Sequence, residues 1–217
     1  MVSKVAPAKP TKAKKQKSAS ASARPKATAP IAARELPFAA YLARVGALAA
    51  KYGGSLALRP PAKAKELREL EALPGVVVPK ELGAAWRTSD GCGENLFTRP
   101  DFLTGYEFLR VSEARKERAG FAKRAPRYAD YEEESPRDRR ILPGWYQPGW
   151  LPFASFGGAS LVLLVDASPA PPGRSGQIIA FTHDPDEITY VAGSFSAYLA
   201  ASLAWFEKKP EELLGLD

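Results

Sequence analysis

Trp150–Leu203 reads WLPFASFGGASLVLLVDASPAPPGRSGQIIAFTHDPDEITYVAGSFSAYLAASL, and three runs within it decide the fold. Leu161–Val165 is continuously apolar, as a strand covered on both faces requires, and Gln177–Thr182 is nearly so. Ile188, Tyr190 and Ala192 alternate with Thr189 and Val191, which predicts a third strand. Only about five residues separate the second run from the third, and a parallel crossover needs at least a dozen, so these two predict an antiparallel hairpin. Ser194 then stands at the N-cap of a closing helix whose Phe195, Leu199, Leu203 and Phe206 form one apolar stripe. That stripe must rest on the sheet. The predicted class is α+β: a single domain with a mostly antiparallel sheet flanked by helices.

Upstream, Leu36–Tyr52 carries Phe38, Leu42, Val45 and Ala49 at helical spacing, with Gly53 and Gly54 as the stop. Arg59-Pro60-Pro61 breaks the chain before a second helix, Ala62–Leu73, with Leu67, Leu70 and Leu73 on one side. Val78 is extended because proline follows it, and Pro79 fits the first position of a third helix. In that helix Leu82, Ala85 and Trp86 face one way, Trp86 reads as a core anchor, and Asp90-Gly91 ends it. Glu94–Phe97 and Tyr106–Val111 predict strands. Ser112 is placed to cap a charged helix running to about Lys123, with Glu113 in the first turn where the helix dipole favours an anion. The segment from Pro126 to Gly149 reads as a long surface loop or insertion, and its Glu132-Glu133-Glu134 run with Arg137, Arg139 and Arg140 as a solvated face.

The 217 residues suffice for one ordinary domain with an appendage. The formal charge is +7, from 31 Lys and Arg against 24 Asp and Glu, but its location matters more than its size. Residues 1–34 hold seven Lys and two Arg with no acid, leaving 22 bases against 24 acids over 35–217, a body at −2. The tail is low-complexity Lys, Ala, Pro and Ser, which predicts disorder over 1–34 ahead of a folded 35–217. Lys12, Lys14, Lys15 and Lys17 suit a loose polyanion tether acting by counterion release; a solubilising extension without a partner fits them equally. Cys92 is the single cysteine, so neither an internal disulfide nor a Cys-rich metal cage is available, as suits a reducing compartment. Neither a membrane span of roughly 20 apolar residues nor a secretory h-region is present, and the expected address is the cytoplasm.

Catalytic templates are hard to assemble from one histidine and one cysteine. There is no G-x-S-x-G elbow, P-loop or G-x-G-x-x-G. A Cys92–His183 pair competes with Cys92 as a small buried hydrophobe. Asp166, His183, Asp184 and Asp186 together could hold a divalent ion for hydrolysis. The alternative is a type I turn with Asp184 first and Pro185 second, His183 simply ending a strand, and it accounts for the same residues. No catalytic residue, metal or cofactor is therefore expected. Trp145, Tyr146 and Trp150, with Pro143 and Pro148, are either hydrophobic cover for a sheet edge or an exposed patch for a protein partner.

Several of these residues also occur in a familiar order. Glu71, Val78-Pro79, Trp86 and Asp90-Gly91 are followed by Trp150-Leu151-Pro152, Gly157-Gly158, a strand ending in Asp166 with Pro169, Gly176–Ile179, His183-Asp184 and Ala192–Phe195 with Leu199. The series, over about 62–203, resembles the SMI/KNR cell-wall-assembly-regulator family of the SUKH superfamily. Val78 stands where the family usually has leucine, Ala159-Ser160 where an acid is common, and neither the 126–149 segment nor the tail has a counterpart. The resemblance implies an α+β domain with a mostly antiparallel sheet and a non-enzymatic, protein-binding role. Bacterial members look like immunity proteins that neutralise a cognate toxin, and fungal members like regulatory scaffolds. Asp90, Trp145, Trp150, Asp166, His183 and Asp184 are the expected partner contacts. A toxin domain is the expected partner, a basic one such as a nuclease suiting the acidic body. The alternative is a nucleic-acid-associated or regulatory scaffold working through the tail.

Overall fold

The structure, a computed structural model, describes residues 35–214 except 101, 103 and 134. The tail reading, with Lys12, Lys14, Lys15 and Lys17, lies outside the described residues.

The fold is α+β. Three helices, α1 (Phe38–Lys51), α2 (Ala64–Glu71) and α3 (Lys80–Thr88), precede β1 (Cys92–Thr98) and β2 (Gly105–Phe108). Then come α4 (Val111–Arg124), a short 3-10 turn at Ala125–Tyr128, and β3 (Trp150–Phe156), β4 (Leu161–Asp166), β5 (Gln177–Thr182) and β6 (Glu187–Ala192). Helices α5 (Phe195–Phe206) and α6 (Pro210–Leu214) close the chain. The sheet is an antiparallel meander in sequence order, β1 to β6. The β5–β6 hairpin forms as its short connection requires. Ser194 caps α5, its Oγ accepting from the Ala197 N–H at 3.1 Å.

Side chains that alternate along the central strands divide two cores between the sheet's faces. Leu161, Leu163 and Val165 of β4, with Ile178 and Ala180 of β5, join α1, α3 and α5 in the main core. Phe97 is at its centre, with ring centroids of Tyr41, Phe108, Phe153 and Tyr198 between 5.4 and 6.0 Å away. Trp86 is the anchor expected of it: fully buried, stacked near Phe108, its indole N–H donating to Leu109 O at 2.9 Å. Val162, Leu164, Ile179, Phe181 and Ile188 face the other way and form a second core with Phe121, Ile141, Trp145 and Trp150.

That second core corrects the reading of 126–149 as surface loop alone. The segment after the 3-10 turn has no regular element, yet it buries Ile141 and Trp145 against the sheet, which explains why β4 and β5 are apolar on both sides. Four smaller corrections follow from local chemistry. Ser112 lies inside α4 and does not cap it; Arg110 holds the N-cap, its N–H donating to the Glu113 carboxylate at 2.8 Å. Pro79 stands one residue before α3, and β2 stops at Phe108 because α4 has begun by Val111. Finally, β3 is a strand that the sequence conceals, because Pro152 argues against a central position. The β3–β4 register shifts between Pro152 and Ala154, and a bulge is where a residue lacking an N–H is tolerated in a sheet.

Candidate functional site

The predicted site residues separate to opposite ends of β4, β5 and β6. Asp166 pairs in register with Gln177, while His183 follows Thr182 at the far end of β5. Six residues of strand separate them, about 20 Å at roughly 3.4 Å per residue. The possible metal quartet is therefore not assembled, and among the described residues no group of three His, Cys, Asp or Glu could hold an ion. Cys92 is buried in the main core and His183 is exposed, so they do not form a pair.

At the turn end, His183 Nδ1–H donates to Asp186 Oδ1 at 2.7 Å, and the His183 N–H donates to Ser160 O at 2.8 Å. In this turn the Asp184–Pro185 peptide is cis and Asp184 has φ +64°, a conformation that asparagine and aspartate tolerate best among side-chain-bearing residues. Beside it lies Tyr128, whose phenol is held above its ordinary pKa by burial first and then by the Asp186 carboxylate. Tyr128 stacks on Trp145 at 4.5 Å, and Tyr131 meets the same indole edge-on at 5.3 Å. Exposed Tyr131 is flanked in the chain by exposed Asp130 and Glu132, and Asp184 is exposed in the turn, so this end presents an aromatic ring and carboxylates to solvent. Glu187 is partly offset by Arg99 at 3.8 Å.

The opposite end is built from buried polar groups. Asp166 is fully buried. Its Oδ2 accepts from Gln177 Nε2 at 2.9 Å and its Oδ1 from the Ser168 N–H at 2.9 Å. The Trp150 indole N–H, across the β3–β4 ladder, is close enough to favour the charged carboxylate without meeting hydrogen-bond geometry. Burial outweighs these partners and raises the Asp166 pKa. Gln177 Nε2 also donates to Arg140 O at 2.9 Å, which ties the 137–142 segment to the sheet. Gly173 fills the remaining gap, since a Cβ there would come within 2.7 Å of Arg140 O and 2.8 Å of Gln177 Oε1.

Above this network the Arg140 guanidinium grips Asp138 side-on, Nε to Oδ1 at 2.9 Å and Nη2 to Oδ2 at 2.6 Å. Its central carbon lies 3.2 Å from the Tyr190 ring centroid. The hydrogen bond from Arg140 holds the Asp138 carboxyl below its usual range, and the same bond raises Arg140. An open depression of about 470 Å³ lies against Asp138, Arg139, Arg140 and Pro172, and a second beside Arg174, Gln177, Tyr190 and Gly193.

Four of the six expected contact residues are engaged within the fold, three of them buried. Trp150 is 1 % exposed and Trp145 is 7 %, so both are cover for the second core, one of the two readings their clustering allowed. Asp166 is equally inaccessible. Asp90 caps α4 from a distance, its Oδ1 accepting from the Val111 N–H at 2.8 Å, with Arg110 Nε 3.6 Å from Oδ2. Gly91 beside it, at φ +93°, approaches so closely that a Cβ would lie 2.9 Å from Phe108 O. His183 and Asp184 alone of the six lie open at the surface. Sequence reasoning missed Tyr131 and the Arg140–Tyr190 pair, whose partners lie far away in the chain; the one signal was polar Asp166 and Gln177 at the ends of adjacent apolar runs.

The site residues thus sit on an α+β scaffold with many of its polar groups spent on caps and ties, and with two chemically distinct ends. Residues 61–201 match the model of the SMI1 / KNR4 family (SUKH-1), and the chain belongs to that family. A search of curated proteins found no match. The family includes immunity-protein-type domains, binds protein partners and is generally non-enzymatic. Among the described residues no helix is long and apolar enough to cross a membrane.

Proposed function

We propose that the protein is an immunity-type binder that neutralises a cognate toxin domain by stoichiometric contact. The observation that carries this reading is the dispersal of the one candidate catalytic set. Asp166 is buried as a structural tie, while His183, Asp184 and Asp186 form a turn at the other end of the sheet. Membership of a family with immunity-protein-type domains supports it.

The turn end is the contact surface. Tyr131 supplies the rigid amphipathic anchor that interface centres favour, and Asp130, Glu132 and Asp184 supply a charged rim suited to a basic partner. His183 sits on that rim. Interaction through this end leaves both cores intact, since its residues are already exposed.

Co-expression with the product of a neighbouring toxin-like reading frame tests the reading. Protection of the host, with a 1:1 complex on size-exclusion chromatography, is the expected result. The triple variant Asp130→Asn, Glu132→Gln, Asp184→Asn should weaken that complex by about ten-fold or more, mostly through a slower on-rate. Absence of both protection and complex would refute the function; a complex indifferent to the triple variant would move the contact elsewhere.

A further inference from the structure

We infer that the depression between Arg139, Arg140 and Arg174 is a binding site for an oxyanion, a carboxylate or phosphate group carried by a ligand. The inference stands independently of the immunity reading, because it concerns the end of the sheet opposite the acidic turn.

Three guanidinium-bearing residues line the two adjoining hollows, and Asp138 is the single acid among the lining residues. Asp138 is already engaged. It occupies the side-on edge of Arg140, formed by Nε and Nη2. A guanidinium has five N–H donors in a planar fork, so the end-on edge, Nη1 with the second N–H of Nη2, keeps its donors. Among the described residues no protein acceptor meets Nη1, and the Arg140 side chain is 33 % exposed. Two parallel N–H groups on a free edge match the two oxygens of a carboxylate or phosphate.

Arg140 is also held in place, which separates it from an ordinary surface arginine. The grip on Asp138 fixes its rotation and the Tyr190 face supports its plane. Its backbone carbonyl accepts from both Gln177 Nε2 and the Ala170 N–H, at 2.9 and 3.1 Å. Little side-chain entropy remains to be lost when an anion docks, and pre-organisation of this kind raises affinity. Arg139 and Arg174 are exposed, and neither makes a salt bridge among the described residues. Their charges are available to an incoming anion. Tyr190 and Gly193 floor the second hollow, and a Cβ at Gly193 would lie 3.3 Å from the Tyr190 hydroxyl, so glycine keeps that hydroxyl accessible.

The test is amide NMR on the full chain at constant ionic strength, titrated with sodium phosphate in one arm and sodium acetate in another, against sodium chloride. Saturable shifts confined to Arg139, Arg140, Gly173, Arg174 and Gly193 in either oxyanion arm are expected, and the arm that responds assigns the phosphate or the carboxylate. The double variant Arg139→Gln, Arg174→Gln, at exposed positions that leave the fold unchanged, should weaken the response about ten-fold. Arg140→Lys keeps the charge but not the fork, and should weaken it about five-fold or more. Shifts no larger than those with chloride, or a double variant that binds like the parent, would overturn the site.

Discussion

The two ends of the β4–β6 sheet make an instructive pair. At the turn end, His183, Asp184, Tyr131 and their neighbours contact solvent, and few of their bonds reach into the cores. At the other end, Asp166 and Gln177 are buried beside one another and hold Arg140, Asp138 and Tyr190 above them. Both ends present charge, of opposite sign, and each has a buried polar residue, Thr182 bonded by Arg99 at the turn end, but only the other end buries a carboxylate with its amide partner. The difference separates a surface whose residues can be exchanged at little cost from one whose chemistry and stability cannot be altered independently.

Gln177→Ala should open the largest gap between the ends. It leaves the buried Asp166 carboxylate and the Arg140 carbonyl each short of a donor, and should cost about 2–3 kcal/mol in urea unfolding. A loss below about 0.5 kcal/mol would show that water replaces the amide and that the end is not anchored in this way. Asp90→Ala removes the remote cap of α4, which lies on neither end, and should cost about 1–2 kcal/mol by the same measurement. An unchanged midpoint would mean that Glu113 and Arg110 suffice.

Asp166 sharpens the comparison through pH. Burial raises its folded pKa, so its favourable contribution is full below the ordinary aspartate range and is lost as pH rises through the raised folded value. Asp166→Asn does not titrate. The stability of the variant relative to the parent should therefore improve from about pH 3 towards neutrality, given an unfolded aspartate pKa near 3.9. A difference that stays flat with pH would show that the carboxylate is as well accommodated folded as unfolded. The smallest effect belongs to the turn end, where His183→Gln should change stability by no more than about 0.5 kcal/mol. A larger loss would make the His183–Asp186 bond a structural tie and erase the contrast.

Much of this architecture is legible in the sequence because local periodicity reports it. Leu161–Val165, Gln177–Thr182, Ile188–Ala192 and the Ser194-capped helix state their own geometry, and the hairpin follows from connection length. What escapes is whatever depends on a distant partner. Trp150–Phe156 is a strand whose Pro152 is accommodated by a bulge, and a bulge is a property of the pairing, absent from the segment alone. The 126–149 segment has no period, so its burial of Ile141 and Trp145 is visible only once Phe181 is opposite. Among the site residues, His183 and Asp184 are legible as a surface turn. Asp166 and Asp90 are prominent in sequence, and each satisfies a donor within the fold, Asp166 from full burial and Asp90 from a half-buried position. Arg140 reads as one charge in a solvated run because Tyr190 and Gln177 lie dozens of residues away.

The unbroken meander also has a kinetic consequence. Each of β4 to β6 pairs with its predecessor across a short connection, so the sheet from β3 to β6 can be zipped hairpin by hairpin with little loop-closure entropy at any step. Helix α1 is different: its Tyr41 hydroxyl meets Ser202 Oγ at 2.8 Å across a separation of 161 residues. That closure fits a late event on the folding path, after the transition state is passed. Loss of the Tyr41 hydroxyl should then hasten unfolding while leaving the refolding rate almost unaltered.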